Sequence, residues 1–191
     1  MRKLIMKMSM SVDGFVGGPN GEQDWVFKSS DEGSRAWSVE RIAESSLIIM
    51  GRKSFENMAP YWPTATGPFA APMNEIPKAV FTQKGFKVSA GDASAAAGSW
   101  AKPLVFDGDL AESIKQLKQE AGKPIVALGG AGFMRSLIGT GLIDEYHLAI
   151  HPIMLGAGLP IFTGAAKPFD LKLVDAKDFP GGIVAHTYRP A

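Results

Sequence analysis

The chain contains no cysteine among its 191 residues. Disulfides and thiolate zinc sites are therefore excluded, and the absence fits a reducing, cytoplasmic setting. Neither sign of charge is in excess: 20 Lys and Arg against 19 Asp and Glu leave a formal net charge of +1. A nucleic-acid grip usually needs a clear basic surplus, so no nucleic acid partner is expected. No apolar run approaches the ~20 residues of a membrane-spanning helix, so no membrane partner is expected either. The opening "MRKLIMKMSM" begins with basic residues, but Lys7 interrupts it and Asp13-Gly14 follows. It reads as a first strand and not as a secretory signal. What is there, 46% hydrophobic and 20% charged residues, suits one soluble domain over residues 1–191.

Hydrophobic patterning predicts alternating strands and helices. Residues 3–10 read as a strand, followed by a glycine-rich loop in which Asp13 stabilises the turn before Gly14. "SSDEGSRAWSVERIAESS" reads as a helix capped by Ser30, with Trp37, Ile42 and Val39 on its buried side. Leu47–Met50 is a short buried strand. A short helix over 52–58 and a proline-rich loop, "APYWPTATGPFAAPMNEIP", follow. Lys78–Thr82 and Ile125–Leu128 are strands, and 87–90 is a candidate strand. "GDASAAAGSWAKP" reads as a surface loop. "DGDLAESIKQLKQEAG" is an amphipathic helix with Asp109 as its cap and Gly122 as its stop. A further helix runs from Gly129–Gly132 to Gly139. "IDEYHLAIHPIML" is a strand that puts His147 and His151 on one face, in a packing or interface role. The last segment forms a hairpin turning at Pro180-Gly181-Gly182, and "LGAGLP" is a tight turn. This order predicts an α/β fold: a three-layer αβα sandwich around a mostly parallel mixed sheet with a C-terminal antiparallel hairpin.

Two strand-to-helix junctions carry the chemistry. In "IIMGRKS", Arg52 and Lys53 stand at a helix start, where the backbone already presents partial positive charge. An anion resolves that conflict. In "VALGGAGF", Gly129 and Gly130 let the backbone come close to a ligand. Two such termini at the carboxyl ends of neighbouring strands suit the pyrophosphate of a dinucleotide. Neither is a familiar loop. "GRKS" lacks the earlier glycine of a P-loop, and Arg135 occupies the place of the third glycine of the Rossmann fingerprint. Thr82, Gln83 and Lys84, with Arg52, offer hydrogen bonds and charge to a ribose 2′-phosphate, which favours NADPH over NADH.

"MSMSVDGFVG", "IIMGRKSFENM", "VFTQK", "VALGGAGF" and "GLIDEYHLAIHPIMLGAGLPIF" occur in this order. Together they resemble the dihydrofolate reductase-like superfamily, and most of all the reductase domain of the bifunctional riboflavin-biosynthesis deaminase-reductase. The resemblance implies an NADPH-binding αβα sandwich that assembles as a homodimer, with the terminal hairpin as one candidate interface. It implies cofactor contacts from Gly51, Arg52, Lys53 and Ser54 at the phosphates. Gly129 and Gly130, a pair often joined by a cis peptide in this family, would stand with Ala131, Gly132 and Phe133 along the pyrophosphate. Ser9 and Val16 would offer backbone contacts to the nicotinamide carboxamide, and Thr82, Gln83 and Lys84 would meet the adenosine phosphate.

On the substrate side the chain departs from its relatives. The early-helix carboxylate of dihydrofolate reductases falls near Arg35, one turn after Asp31 and Glu32, either of which would substitute if the helix shifts. The Asp-Asp-Pro segment of the riboflavin branch is replaced by Met58, Ala59 and Pro60, while Trp37 and Arg41 match that branch. Asp31 is the candidate catalytic residue, and Trp25, Tyr61 and Trp62 are candidates to stack a flat heterocyclic substrate. The implied activity is reduction of a pyrimidine- or pteridine-type substrate, nearest to 5-amino-6-(5-phosphoribosylamino)uracil reductase and ahead of dihydrofolate reductase. The alternative is an NADP(H)-binding sensor of the same fold without efficient catalysis. No metal site is expected.

Overall fold

In the computed structural model, strand β1 (Leu4–Ser11) runs through the middle of an eight-stranded sheet. The structure describes residues 1–86, 98–163 and 167–191; the candidate strand at 87–90 lies outside them. The other strands are β2 (Leu47–Gly51), β3 (Lys78–Phe81), β4 (Leu104–Phe106), β5 (Ile125–Gly129), β6 (Glu145–His151), β7 (Leu171–Asp178) and β8 (Val184–Pro190). They lie in the order β4-β3-β2-β5-β1-β6-β8-β7. All pairs from β4 to β6 are parallel, and β8 pairs antiparallel with both β6 and β7. The mixed sheet and its C-terminal hairpin are as the sequence predicts.

Alternation along β1 divides the core. Leu4, Met6, Met8 and Met10 face one way, into a cluster with Ile114, Leu117, Met134, Leu137 and Ile138. These come from α5 (Leu110–Gln119) and α6 (Ala131–Gly139). Ile5 faces the other way, with Ile48, Met50, Val126, Ile42, Phe55 and Met73. On that side lie α1 (Trp25–Lys28), α2 (Glu32–Ala43), α3 (Arg52–Met58) and α4 (Ala70–Glu75). β2 and β5 carry side chains that are buried on both faces, which is why they read as unbroken apolar runs. Each such side chain contributes about 1.5–3 kcal/mol of burial.

Several local expectations shift. Asp31, not Ser30, caps α2, in a capping box with Ser34, while the Ser30 hydroxyl donates to the Val26 carbonyl at 2.7 Å. Val39 is only half-buried, and Ser34 joins Trp37 and Ile42 on the inner side. The proline-rich stretch contains a 3₁₀ turn at Trp62–Thr64 and all of α4, which tolerates Pro72 because it falls in the first turn. α5 stops at Gln119, before Gly122. β4 was not anticipated: it has three residues at the sheet edge, too few to show a period. Of the expected surface loop "GDASAAAGSWAKP", residues 91–97 lie outside the described residues, and Gly98–Trp100 forms a 3₁₀ turn that buries Trp100 completely, against Phe55 and beneath the Lys78 ammonium.

β1 pairs with β6 over seven residues, through Ser11↔His151, but with β5 only over Leu4–Met6. β5 also carries a bulge, since Ile49↔Ala127 is followed by Met50↔Gly129. The sheet therefore parts between β1 and β5 toward the carboxyl ends of the strands, which positions the candidate site.

Candidate functional site

Gly51 ends β2 and caps α3 with extended backbone and no side-chain hydrogen bond. Gly130 joins β5 to α6 at φ 78°, a conformation only glycine adopts without strain. The two junctions meet. A Cβ on Gly130 would lie 3.2 Å from the Ser54 hydroxyl and 3.9 Å from the Gly51 Cα, and one on Gly129 would lie 3.4 Å from Ser54. A Cβ on Gly51 would strike that of Phe133 at 2.9 Å. The Gly129–Gly130 peptide is trans, so the cis bond common in the family is not found here.

In α6 the Met134 N–H is the first to bond inside the helix, to the Gly130 carbonyl at 2.9 Å. The N–H groups of Ala131, Gly132 and Phe133 precede that ladder. Arg52 and Lys53 stand one strand away. Arg52 pairs with Glu56 at 3.4 Å across one helical turn, both half-exposed, so its charge is only weakly spent. Lys53 is exposed and makes no ion pair among the described residues. The Phe133 ring stacks on Phe81, which stacks on Phe106, and so joins the mouths of β5, β3 and β4.

Beyond β2, Thr82 follows the end of β3 at Phe81 and ties its N–H to the Phe106 carbonyl at 3.0 Å. Gln83 and Lys84 beside it are exposed. On the other flank, the Lys3 carbonyl accepts from Ile125 N, so odd-numbered residues of β1 turn their backbone groups toward β5. Ser9 lies past the last β1–β5 pair, and its backbone groups face the gap. Val16 is different. Its N–H donates to Leu159 and its carbonyl accepts from Gln23, so both groups already have partners.

The substrate-side candidates do not gather. Trp25 is buried, edge-on to His151, with its indole N–H given to the Glu22 carbonyl. Asp31 accepts from Ser34 N at 2.8 Å and from Gly181 N at 2.7 Å, so one oxygen caps α2 and the other holds the hairpin turn. The Ser34 amide, then that of Gly181, keeps its carboxyl below the usual range. Tyr61 is exposed and packs edge-on against half-buried Trp62, a helix length beyond Gly51.

Sequence reasoning did not single out Lys7, a buried cation near the site. It lies two residues before Ser9, on the face under α2, and is buried without a carboxylate partner. Burial alone lowers its pKa to about 8. Its signal was visible in the sequence: one lysine inside an otherwise apolar strand. His151, paired with Ser11 at the end of β1, is also buried, and burial lowers its pKa to about 4. Its Nδ1 meets the Ser29 hydroxyl at 2.8 Å, while Nε2 has no partner. A hollow of about 390 Å³ opens at the opposite end of the sheet, between Lys3, Asp144, Glu145, Arg189 and Pro190. Its charges are spent on one another, since Glu145 accepts from Lys3, Arg189 and His147.

The chain itself matches a known family. Residues 2–185 fit the description of the RibD C-terminal domain. The chain belongs to the RibD C-terminal domain family. YyaP of Bacillus subtilis (strain 168), an uncharacterized protein, is 31% identical over 98% of this chain and 95% of its own length. A Thermotoga maritima diaminohydroxyphosphoribosylaminopyrimidine deaminase/5-amino-6-(5-phosphoribosylamino)uracil reductase shares the fold at a TM-score of 0.66 and 16% identity. That likeness covers all of this chain and 57% of the longer protein. Enterococcus faecalis dihydrofolate reductase, solved with NADP(H), shares it at a TM-score of 0.60 and 13% identity, over 98% of this chain and 96% of that one. The chain therefore has the α/β sandwich fold of the dihydrofolate reductase-like kind, and among the described residues no helix is long and apolar enough to cross a membrane.

Proposed function

We propose that this protein is an NADPH-dependent reductase of a pyrimidine- or pteridine-type substrate, with 5-amino-6-(5-phosphoribosylamino)uracil reductase as the nearest named activity. The observation that carries the reading is the meeting of Gly51, Ser54 and Gly130, where the missing Cβ atoms let the two strand-to-helix junctions approach and present their backbone side by side. The site is long enough for a dinucleotide. Neighbouring strands lie about 4.8 Å apart, so the mouths from β3 across β2 and β5 to β1 span about 14 Å. Thr82, Gln83 and Lys84 serve the adenosine phosphate at one end. Lys53, Ser54 and the N–H groups of Ala131, Gly132 and Phe133 serve the pyrophosphate in the middle, and Arg52 reaches from there toward the 2′-phosphate. Ser9 presents its backbone to the nicotinamide carboxamide at the other end.

Bound NADPH would supply the hydride. The chain's part is to align the ring at the β1 mouth and to keep water from it. Val16 acts there through its packing, because its hydrogen bonds are taken. The family resemblance and the reductases that share the fold support this reading. Titration with NADPH and NADH, followed by nicotinamide fluorescence, tests it; tighter binding of NADPH is expected, and no binding of either overturns it. Oxidation of bound NADPH by aminouracils and pterins then reports the substrate.

A second reading, an NADP(H)-binding sensor without efficient turnover, draws on Asp31. Both of its oxygens are engaged by backbone amides, so it is poorly placed to protonate a substrate. Tight NADPH binding with no turnover across that panel favours it.

A further inference from the structure

The loop after β1 and the loop after β6 run together as a two-ply ribbon. Val12 N donates to the Ile153 carbonyl, Val16 N to Leu159 and Leu159 N to Gly17, each at 2.9 Å, and Phe15 bridges Pro160. Approach is close enough that a Cβ on Gly158 would lie 2.2 Å from the Gly17 carbonyl oxygen. These bonds hold the two ends of the second loop. They do not reach its turn, where Met154, Gly156 and Ala157 are exposed. Among the described residues, Asp13 supplies the hydrogen bonds to that turn: its carboxylate accepts from Leu155 N at 3.2 Å and Gly156 N at 2.8 Å. It is braced from behind by the Ser11 hydroxyl at 2.6 Å, which also accepts from Phe15 N at 3.0 Å.

The ribbon rises from the ends of β1 and β6, beside the gap that Ser9 faces. Its two plies carry Val12 and Met154, both strongly exposed apolar side chains. Apolar groups left open beside a polar cleft gain most from a flat ring that covers them. We infer that Asp13 is a positioning residue for the nicotinamide half of the cofactor: it pins the Leu155–Gly156 turn so that the ribbon forms a fixed wall for the ring at the β1 mouth. This rests on the dinucleotide reading of the site. It adds that one carboxylate, touching neither cofactor nor substrate, sets the fit of one half of the ligand. Three charge-assisted hydrogen bonds converge on that carboxylate, stronger than neutral ones, so their loss frees the turn.

The test separates the two halves of the cofactor. Binding of NADPH and of 2′,5′-ADP, which lacks the nicotinamide, is measured calorimetrically for the natural chain, Asp13→Asn and Ser11→Ala. Asn keeps the size but presents an NH₂ to one of the two backbone donors. NADPH should weaken about tenfold or more in Asp13→Asn and less in Ser11→Ala, as expected for losing hydrogen bonds to a charged group. Binding of 2′,5′-ADP should stay within about twofold in both variants, which also shows that the fold is intact. Unchanged NADPH affinity in Asp13→Asn overturns the inference and leaves the cofactor reading standing. Equal losses for both ligands overturn it too, by making Asp13 a general support. If Asp13→Asn does not fold, Ser11→Ala decides by the same comparison. A natural chain that binds neither ligand overturns the cofactor reading itself, and this inference with it.

Discussion

The Lys7 ammonium lies 5.3 Å from the centre of the Trp37 ring, under α2, with the Ser38 hydroxyl at 3.2 Å as its hydrogen-bond partner. A π face and one hydroxyl do not replace the water a cation gives up. The same face carries His147, opposite Lys7 in the β1–β6 register, and Arg41 beneath α2, whose Nε is buried without a partner. Neither relieves the charge.

Lys7→Met is therefore expected to raise stability at neutral pH by roughly 1–3 kcal/mol. With a folded pKa of about 8, below the ordinary 10.5, the unfolded chain holds the extra proton between those values. Stability of the natural chain should thus rise as pH climbs from 8 to 10.5, and the advantage of the variant should shrink across that window. Urea denaturation at several pH values measures both; a variant less stable than the natural chain at pH 7 would show that Lys7 has a partner the packing does not reveal.

Acid should act through His151 first. Burial holds its folded pKa at about 4, so its stabilising contribution is complete above 6.5 and is lost as pH falls toward 4. His151→Gln should flatten the stability profile in that range. At lower pH Glu145 takes over. Burial alone would raise its pKa, but hydrogen bonds from Lys3, His147 and Arg189 outweigh that and bring it to about 2. A second loss between 4.5 and 2 is expected, removed by Glu145→Gln. Thermal melts from pH 8 to 2 report both steps.

Gly130→Ala should cost about 1–2 kcal/mol of stability from the positive φ alone, and should weaken NADPH because its Cβ faces Ser54. Gly139→Ala, at the far end of the same helix, is the control, since a Cβ there meets nothing within 4 Å. Equal NADPH affinity in the two variants, measured by nicotinamide fluorescence, would remove Gly130 from the cofactor site.

Arg52→Ala should weaken NADPH more than NADH if its guanidinium meets the 2′-phosphate, with a stability change below about 0.5 kcal/mol because its pair with Glu56 is solvated. Parallel titrations of both cofactors decide, and equal losses would assign Arg52 elsewhere.

The strands β2 and β5 were legible because they are buried on both faces, and an uninterrupted apolar run marks such a strand whatever its partners. The two glycine junctions were legible for the same reason, since each ends such a run. Less legible were residues with two chemically equal uses. Asp31 has the same side chain whether it caps a helix or binds a substrate, and its ties to Ser34 and to Gly181, 150 residues away, show the first use. Trp25 shows in sequence no sign of the His151 ring that buries it. Trp100 was hidden by its small polar neighbours, although burying one indole is enough to dock such a segment. The pinning of Leu155 and Gly156 by Asp13 joins loops far apart in the chain, which no local pattern reports.

Only three residue pairs stitch β1 to β5, against seven between β1 and β6. Mechanically the sheet is thus two leaves of four strands on a short seam, β4-β3-β2-β5 on one side and β1-β6-β8-β7 on the other. A molecule bridging both leaves from the mouth would act as a brace on that seam, and slower amide exchange at Ile5 and Lys7 would be its signature, far from any atom it touches.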